Sequence, residues 1–169
     1  SRLKVVSALF AGCTRDEAHP AICAGYGGAI YARNGAQVEV TASVFERCNA
    51  QLNGGVIHAR DSGTIVSFTS THFISNTAVD WYGGVMHIAY SAIAYLRGGA
   101  NVFSGNKAGA DERGHSIMKY STSSPQLIFD VCPPGTFQPI IDASAVYTID
   151  HDFTGCPHSC PSSAALTAG

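Results

Sequence analysis

The chain has 169 residues, 46% of them hydrophobic and 13% charged, with ten Lys and Arg against twelve Asp and Glu for a formal net charge of -2. This composition suits one globular or solenoid domain with a substantial core and excludes disorder over the greater part of the chain. The dispersed charge offers neither the basic stripe of a nucleic-acid binder nor a polybasic membrane patch, and no apolar run approaches the roughly 18 to 20 residues of a spanning helix.

The opening Ser1-Arg2-Leu3-Lys4 does not start a signal peptide. Leu3 to Phe10 reads as the back half of a repeat with no glycine half before it, so upstream sequence or a partner is expected to complete that coil. From there a phenylalanine is followed three residues later by cysteine or asparagine five times: Phe10/Cys13, Phe45/Cys48, Phe73/Asn76, Phe103/Asn106 and Phe129/Cys132. Between them stand Gly27-Gly28-Ala29-Ile30, Gly54-Gly55-Val56-Ile57 and Gly83-Gly84-Val85-Met86, with a weaker copy at Gly114-His115-Ser116-Ile117. Self-similarity at a period of roughly 26 to 35 residues marks a solenoid, each repeat one coil stacked on the next.

The pattern within a repeat predicts strands. After each glycine pair come Ile30, Ile57, Met86 and Ile117, then Tyr31, His58, His87 and Met118. Residues alternate sides along a strand, so the first series should face the interior and the second an exposed outer sheet face. Glycine just before such a strand suits a corner where a Cβ has no room. A second strand precedes each phenylalanine, with inward pairs Leu3 and Val5, Val38 and Val40, and Val66 and Phe68, followed by the small residues Ser7, Ala42, Ser70 and Ala100. Gly98-Gly99 should insert a bulge or corner after Leu96. No 11-residue helical stripe occurs, which disfavours helical and leucine-rich repeats.

The expected fold is all-β: a single-stranded right-handed parallel β-helix of about four to five coils over residues 1-131, with a small cysteine-rich tail over 132-169. Phe10, Phe45, Phe73, Phe103 and Phe129 would repeat as an inward ladder, with Asn76 and Asn106 starting an amide ladder at a turn that satisfies otherwise buried polar groups.

Gly-Gly-Ala-Ile followed by Phe-x-x-Asn is similar to the paired motifs of the chlamydial polymorphic outer membrane protein repeat, over about residues 3 to 132, with Phe73-Ile74-Ser75-Asn76 and Phe103-Ser104-Gly105-Asn106 fitting fully. The resemblance implies a β-helix of surface proteins and adhesins. Cysteine at positions 13, 48 and 132 departs from the family's asparagine. The tail, Cys132-Pro133-Pro134-Gly135-Thr136-Phe137 and Gly155-Cys156-Pro157-His158-Ser159-Cys160-Pro161, looks like the small cysteine-rich modules beside ephrin-receptor-type extracellular domains.

Cys13, Cys23, Cys48, Cys132, Cys156 and Cys160 are therefore candidates for structural disulfides in an oxidising, extracellular or cell-surface setting. Cys13 and Cys48 hold matching positions in successive coils, Cys23 competes for either, and Cys132 is expected to pair with Cys156 or Cys160. Zinc at Cys156 and Cys160 with His151 and His158 lacks a second strong ligand pair, and the His58/His87 pair lacks a recurring carboxylate; no metal or other cofactor is expected. Asp80 and Asp111 each lie three residues before a glycine pair or its copy. Paired carboxylates are what a glycosidase or a calcium-dependent polysaccharide lyase of the pectate-lyase type requires, but no third acid or basic partner recurs. The expected function is a non-catalytic structural scaffold, adhesion or assembly module of a larger protein, with other protein chains or surface glycans as partners. The alternative is a carbohydrate-active enzyme at Asp80 and Asp111.

Overall fold

A computed structural model describes residues 1–13, 25–109, 114–120, 125–130, 136–137, 146–155 and 158–159. Among them there is no helix, and the chain winds as an all-β solenoid of mostly parallel sheets. Three five-stranded sheets form its sides. The first holds Arg2–Val6, Gln37–Thr41, Ile65–Thr69, Ile93–Arg97 and Gln126–Phe129, all parallel. The second holds Leu9–Ala11, Val44–Glu46, His72–Ile74 and Val102–Ser104; the third holds Ile30–Ala32, Ile57–Ala59, Met86–Ile88 and Ile117–Lys119. Each circuit gives one strand to each sheet, so equivalent residues of successive repeats lie side by side.

The inward residues follow the sequence pattern. Ile30, Ile57, Met86 and Ile117 pair in register and are buried, as are Val38, Val40, Val66 and Phe68. Phe10, Phe45, Phe73 and Phe103 also pair in register, with ring centroids 4.7, 5.6 and 4.7 Å apart in near-parallel stacks. Each fully buried ring contributes roughly 2 to 3 kcal/mol of transfer free energy, to which stacking adds.

Phe129 does not continue this ladder. It lies in the first sheet, in register with Leu96, because the last circuit ends on that sheet before reaching the second. The next ring is Phe153, 4.3 Å from Phe103 and stacked at 10°. Phe129 meets Phe153 edge-on at 6.3 Å.

The corners explain the small residues and the glycines. Ser7, Ala42 and Ser70 turn from the first sheet to the second at φ of 52, 47 and 49°, and Gly98 and Gly99 make the same turn at 75 and 63°. These left-handed values disfavour large or branched side chains. Before the third sheet, Gly54 has φ 69°, while a Cβ on Gly55 would sit 2.1 Å from the carbonyl oxygen of Gly84 in the next coil. The first glycine sets the turn, and the second lets two coils approach.

The asparagine ladder is a hydrogen-bond relay between coils. Asn76 Nδ2 donates to Phe45 O and Asn106 Nδ2 to Phe73 O, both at 3.0 Å, while Asn106 Oδ1 accepts from the Asn76 backbone N–H. Asn76 Oδ1 accepts in turn from the Cys48 N–H at 2.9 Å. Cys48 occupies the next rung and points its thiol at Phe10 O, 3.8 Å away, as a weak donor in the amide's place.

The end of the chain closes the solenoid. Tyr147–Ile149 pairs antiparallel with Ile117–Lys119, and Phe153–Thr154 antiparallel with Val102–Ser104. A boundary at residue 132 thus divides segments that share sheets. Thr136–Phe137 and His158–Ser159 form a separate antiparallel ribbon.

Candidate functional site

The outward residues of the third sheet build the site. Tyr31, His58, His87 and Met118 stand in register, as the alternation predicts, but they do not form an exposed face. His58 is 3% and His87 6% exposed, and the strands Ile57–Ala59, Met86–Ile88 and Ile117–Lys119 are buried on both sides. The physical reason is a layer of aromatic side chains laid over the sheet. The Tyr26 ring lies 4.8 Å from that of His58, Tyr31 lies 5.3 Å from it, and Tyr120 lies 6.2 Å from that of His87.

The glycine corners place part of this layer. Tyr26, Asn53 and Tyr82 each precede a glycine pair, and Asn53 Oδ1 accepts from the Tyr82 N–H at 3.1 Å, tying two corners together. Between these residues a groove of about 270 Å3 opens over His58 and His87, and Trp81, Tyr90, Tyr120 and Arg60 complete its walls. The Arg60 guanidinium lies over the Tyr90 ring, 4.6 Å from its centroid, and donates to Asp61 Oδ1 at 3.1 Å.

The two imidazoles stack 4.8 Å apart with their Nδ1 atoms at 3.1 Å, so one donates and the other accepts. Burial, then the neighbouring His87 and Arg60, pushes His58 down to about 2, and burial followed by Arg60 pushes His87 down to about 4. Both rings are therefore neutral near pH 7. Imidazoles held this far below their ordinary value are poor general bases, which suits them to binding more than to proton transfer. Among the described residues, His58 Nε2 is the one buried side-chain nitrogen or oxygen without a hydrogen-bond partner.

No family model, curated protein or solved structure matches this chain.

Of the alternative acidic pair, Asp80 and Asp111, the structure describes one residue. Asp80 is exposed and its Oδ2 accepts from Gln51 Nε2 at 2.6 Å; Asp111 lies outside the described residues. The carboxylates with a visible task are others. Asp130 Oδ1 accepts from the Gly98 N–H, Asp152 Oδ1 from Gly105 and Asp150 Oδ1 from Gly114, one at each of three corners of the last coil.

Cys13 and Cys48, two of the three cysteines among which the sequence leaves a bond open, are adjacent free thiols, with Cys13 a hydrogen-bond partner of the Cys48 thiol. Burial and then Cys13 push the Cys48 thiol up to about 12, so this sulfur is held as a neutral donor in the ladder. Cys23, Cys132, Cys156 and Cys160 lie outside the described residues. Among the described residues no group of three or more His, Cys, Asp or Glu could hold a metal ion.

Tyr26, Arg60, Trp81, Tyr82, Tyr90 and Tyr120 escaped the sequence reading. A signal for two of them was present, since Tyr26 and Tyr82 hold the same phase immediately before a glycine pair.

Proposed function

We propose that this chain is a non-catalytic β-helix module of an extracellular or cell-surface protein, a rigid scaffold that displays a binding face for glycans or other protein chains. The observation that carries the reading is the aromatic groove over His58 and His87, set on a frame whose rungs are pinned in every coil by stacked rings and ladder hydrogen bonds. A sheet fixed at the inter-strand spacing holds its outward side chains in a preorganised array, which reduces the entropy lost when a ligand settles on them. The similarity of the Gly-Gly-Ala-Ile and Phe-x-x-Asn motifs to repeats of bacterial surface adhesins supports the same placement, and the cysteines of the tail suit an oxidising compartment.

The test is to immobilise the chain on beads, measure retention of a panel of glycans and extracellular-matrix proteins, and assay the same polysaccharides for new chain ends. Retention without new ends is expected. Release of new ends that disappears in Asp80→Asn would replace the scaffold with the carbohydrate-active enzyme.

A further inference from the structure

We propose that the groove over the third sheet is a binding site for one uncharged pyranose ring of a glycan. This deepens the scaffold reading and rests on it. Four features converge on an uncharged ring. The groove, at about 270 Å3, lies just below the roughly 300 to 1,000 Å3 of pockets for drug-sized ligands, so it has room for a single small ring.

Its walls carry aromatic surface left in water. Trp81 is 49%, Tyr90 42% and Tyr120 38% exposed, although the same fold buries every ring of the phenylalanine ladder from Phe45 to Phe103. The face of an aromatic ring is electron-rich and attracts groups with a positive edge. One face of a pyranose is a patch of polarised C–H bonds, and laying it on such a ring removes apolar surface from water on both partners.

One of the lining residues, His58, holds a buried polar atom without a partner, its Nε2. The hydrogen bond between the two Nδ1 atoms can have its proton on either ring. If His58 donates, its Nε2 is a bare acceptor; if His87 donates, His58 Nε2 carries the hydrogen. A hydroxyl both donates and accepts, so it satisfies this unpartnered buried atom in either tautomer. A carboxylate can only accept and an ammonium can only donate, so each fits one tautomer alone. Leaving such an atom buried without a partner is unfavourable, and a ligand hydroxyl relieves this.

Charge favours the neutral ring as well. The groove's cation, Arg60, is already bonded to Asp61 and laid on Tyr90, so an acidic sugar would have to compete with a carboxylate in place.

The experiment titrates the purified chain, by calorimetry and by saturation-transfer NMR, with methyl pyranosides and neutral oligosaccharides of gluco, manno and galacto configuration and with the corresponding uronic acids. Binding to at least one neutral series is expected, weakened about tenfold by Trp81→Ala, which removes an exposed stacking face and leaves the melting temperature unchanged. His58→Phe keeps the ring stack and deletes the Nε2, and should weaken the same ligand while the chain still melts cooperatively. The proposal is overturned if no neutral sugar binds, if the uronic acids bind more tightly than their neutral counterparts, or if Trp81→Ala binds as well as the parent. Preference for uronic acids would leave the scaffold reading intact. Cleavage of a bound neutral glycan would support this site and overturn the non-catalytic reading.

Discussion

The first and last described coils differ in what lies against their outer edge. At the N-terminal end Arg2–Val6 and Leu9–Ala11 are edge strands with one neighbour each, and Leu3, Val6 and Leu9 are 44, 55 and 67% exposed. At the C-terminal end antiparallel strands cover the last coil, Phe153 stacks on Phe103, and Asp130, Asp150 and Asp152 accept the corner N–H groups. Inside the solenoid those corner donors go to backbone carbonyls of the next coil, as in Ser7 to Thr41, Arg47 to Ile74 and Gly54 to Tyr82. The closed end thus replaces each absent carbonyl by a carboxylate and the absent coil's ring by a phenylalanine from a strand running backwards. Closing a parallel stack takes both a polar substitute and an apolar one.

The difference can be broken by mutation. Phe153→Ala should be the most damaging single change at either end, losing about 3 to 5 kcal/mol, whereas the half-buried Phe10 should lose about 1 to 2 kcal/mol as Ala. Urea midpoints measure both, and equal losses would mean that the open end is as well packed as the closed one.

Between the ends, acid acts on the middle of the solenoid. His58 and His87 have folded pKa values below their ordinary 6.5, so the unfolded chain binds more protons beneath that pH. Stability is complete above about pH 6.5 and falls as the pH drops toward 4, by on the order of 3 kcal/mol from His87 alone, with His58 adding in the same direction. The groups facing the pair are Arg60, Tyr26, Tyr31, Tyr82 and Tyr120, none of them an acid that could offset the effect. Melting curves between pH 7 and 4.5 should show this limb, and His87→Phe should make it about half as steep, leaving the share of His58.

Two smaller effects sharpen the contrast. Asn76→Ala leaves the Cys48 N–H and the Phe45 carbonyl without side-chain partners inside the stack and should lose about 2 kcal/mol by urea denaturation, more than Cys48→Ala, whose weak sulfur bond is worth less. Asp152→Ala removes a cap from an exposed corner and should lose about 1 kcal/mol. Hydrogen exchange should report that change at Gly105 while the amides around Phe45 stay protected.

Most of the solenoid was legible because two-residue alternation and a fixed phase leave little freedom. Once the glycine pairs are aligned, the partners of Ile57, His58 and Phe73 follow. Phe129 was misplaced because its neighbour Cys132 imitates the motif while its phase does not: counted from Ile117, it lies near where Phe68 lies from Ile57, well short of where Phe73 lies. The cover over the histidines was hidden for a different reason. Alternation says which way a side chain points from its sheet but not what a neighbouring corner lays across it. Asp150, Asp152 and Phe153 acquire their roles only when the chain reverses, and no local pattern announces a reversal.

The second glycine of each pair has a further consequence for how such a chain can vary. With the Gly55 position pressed against the carbonyl of the next coil, and the rung after each phenylalanine fixed by the ladder, neither corner tolerates a change of length. The stretch between them differs in length from repeat to repeat: residues 14–26, 49–53, 77–82 and 107–113. Its first residues still pair between coils, Asn49–Ala50 with Thr77–Ala78 and Thr77 with Lys107, so a change of length is confined to the residues that follow them. Because this stretch ends in Tyr26, Asn53 and Tyr82, the part whose length varies between repeats is also the part that shapes the groove, so the groove can be recut without rebuilding the frame.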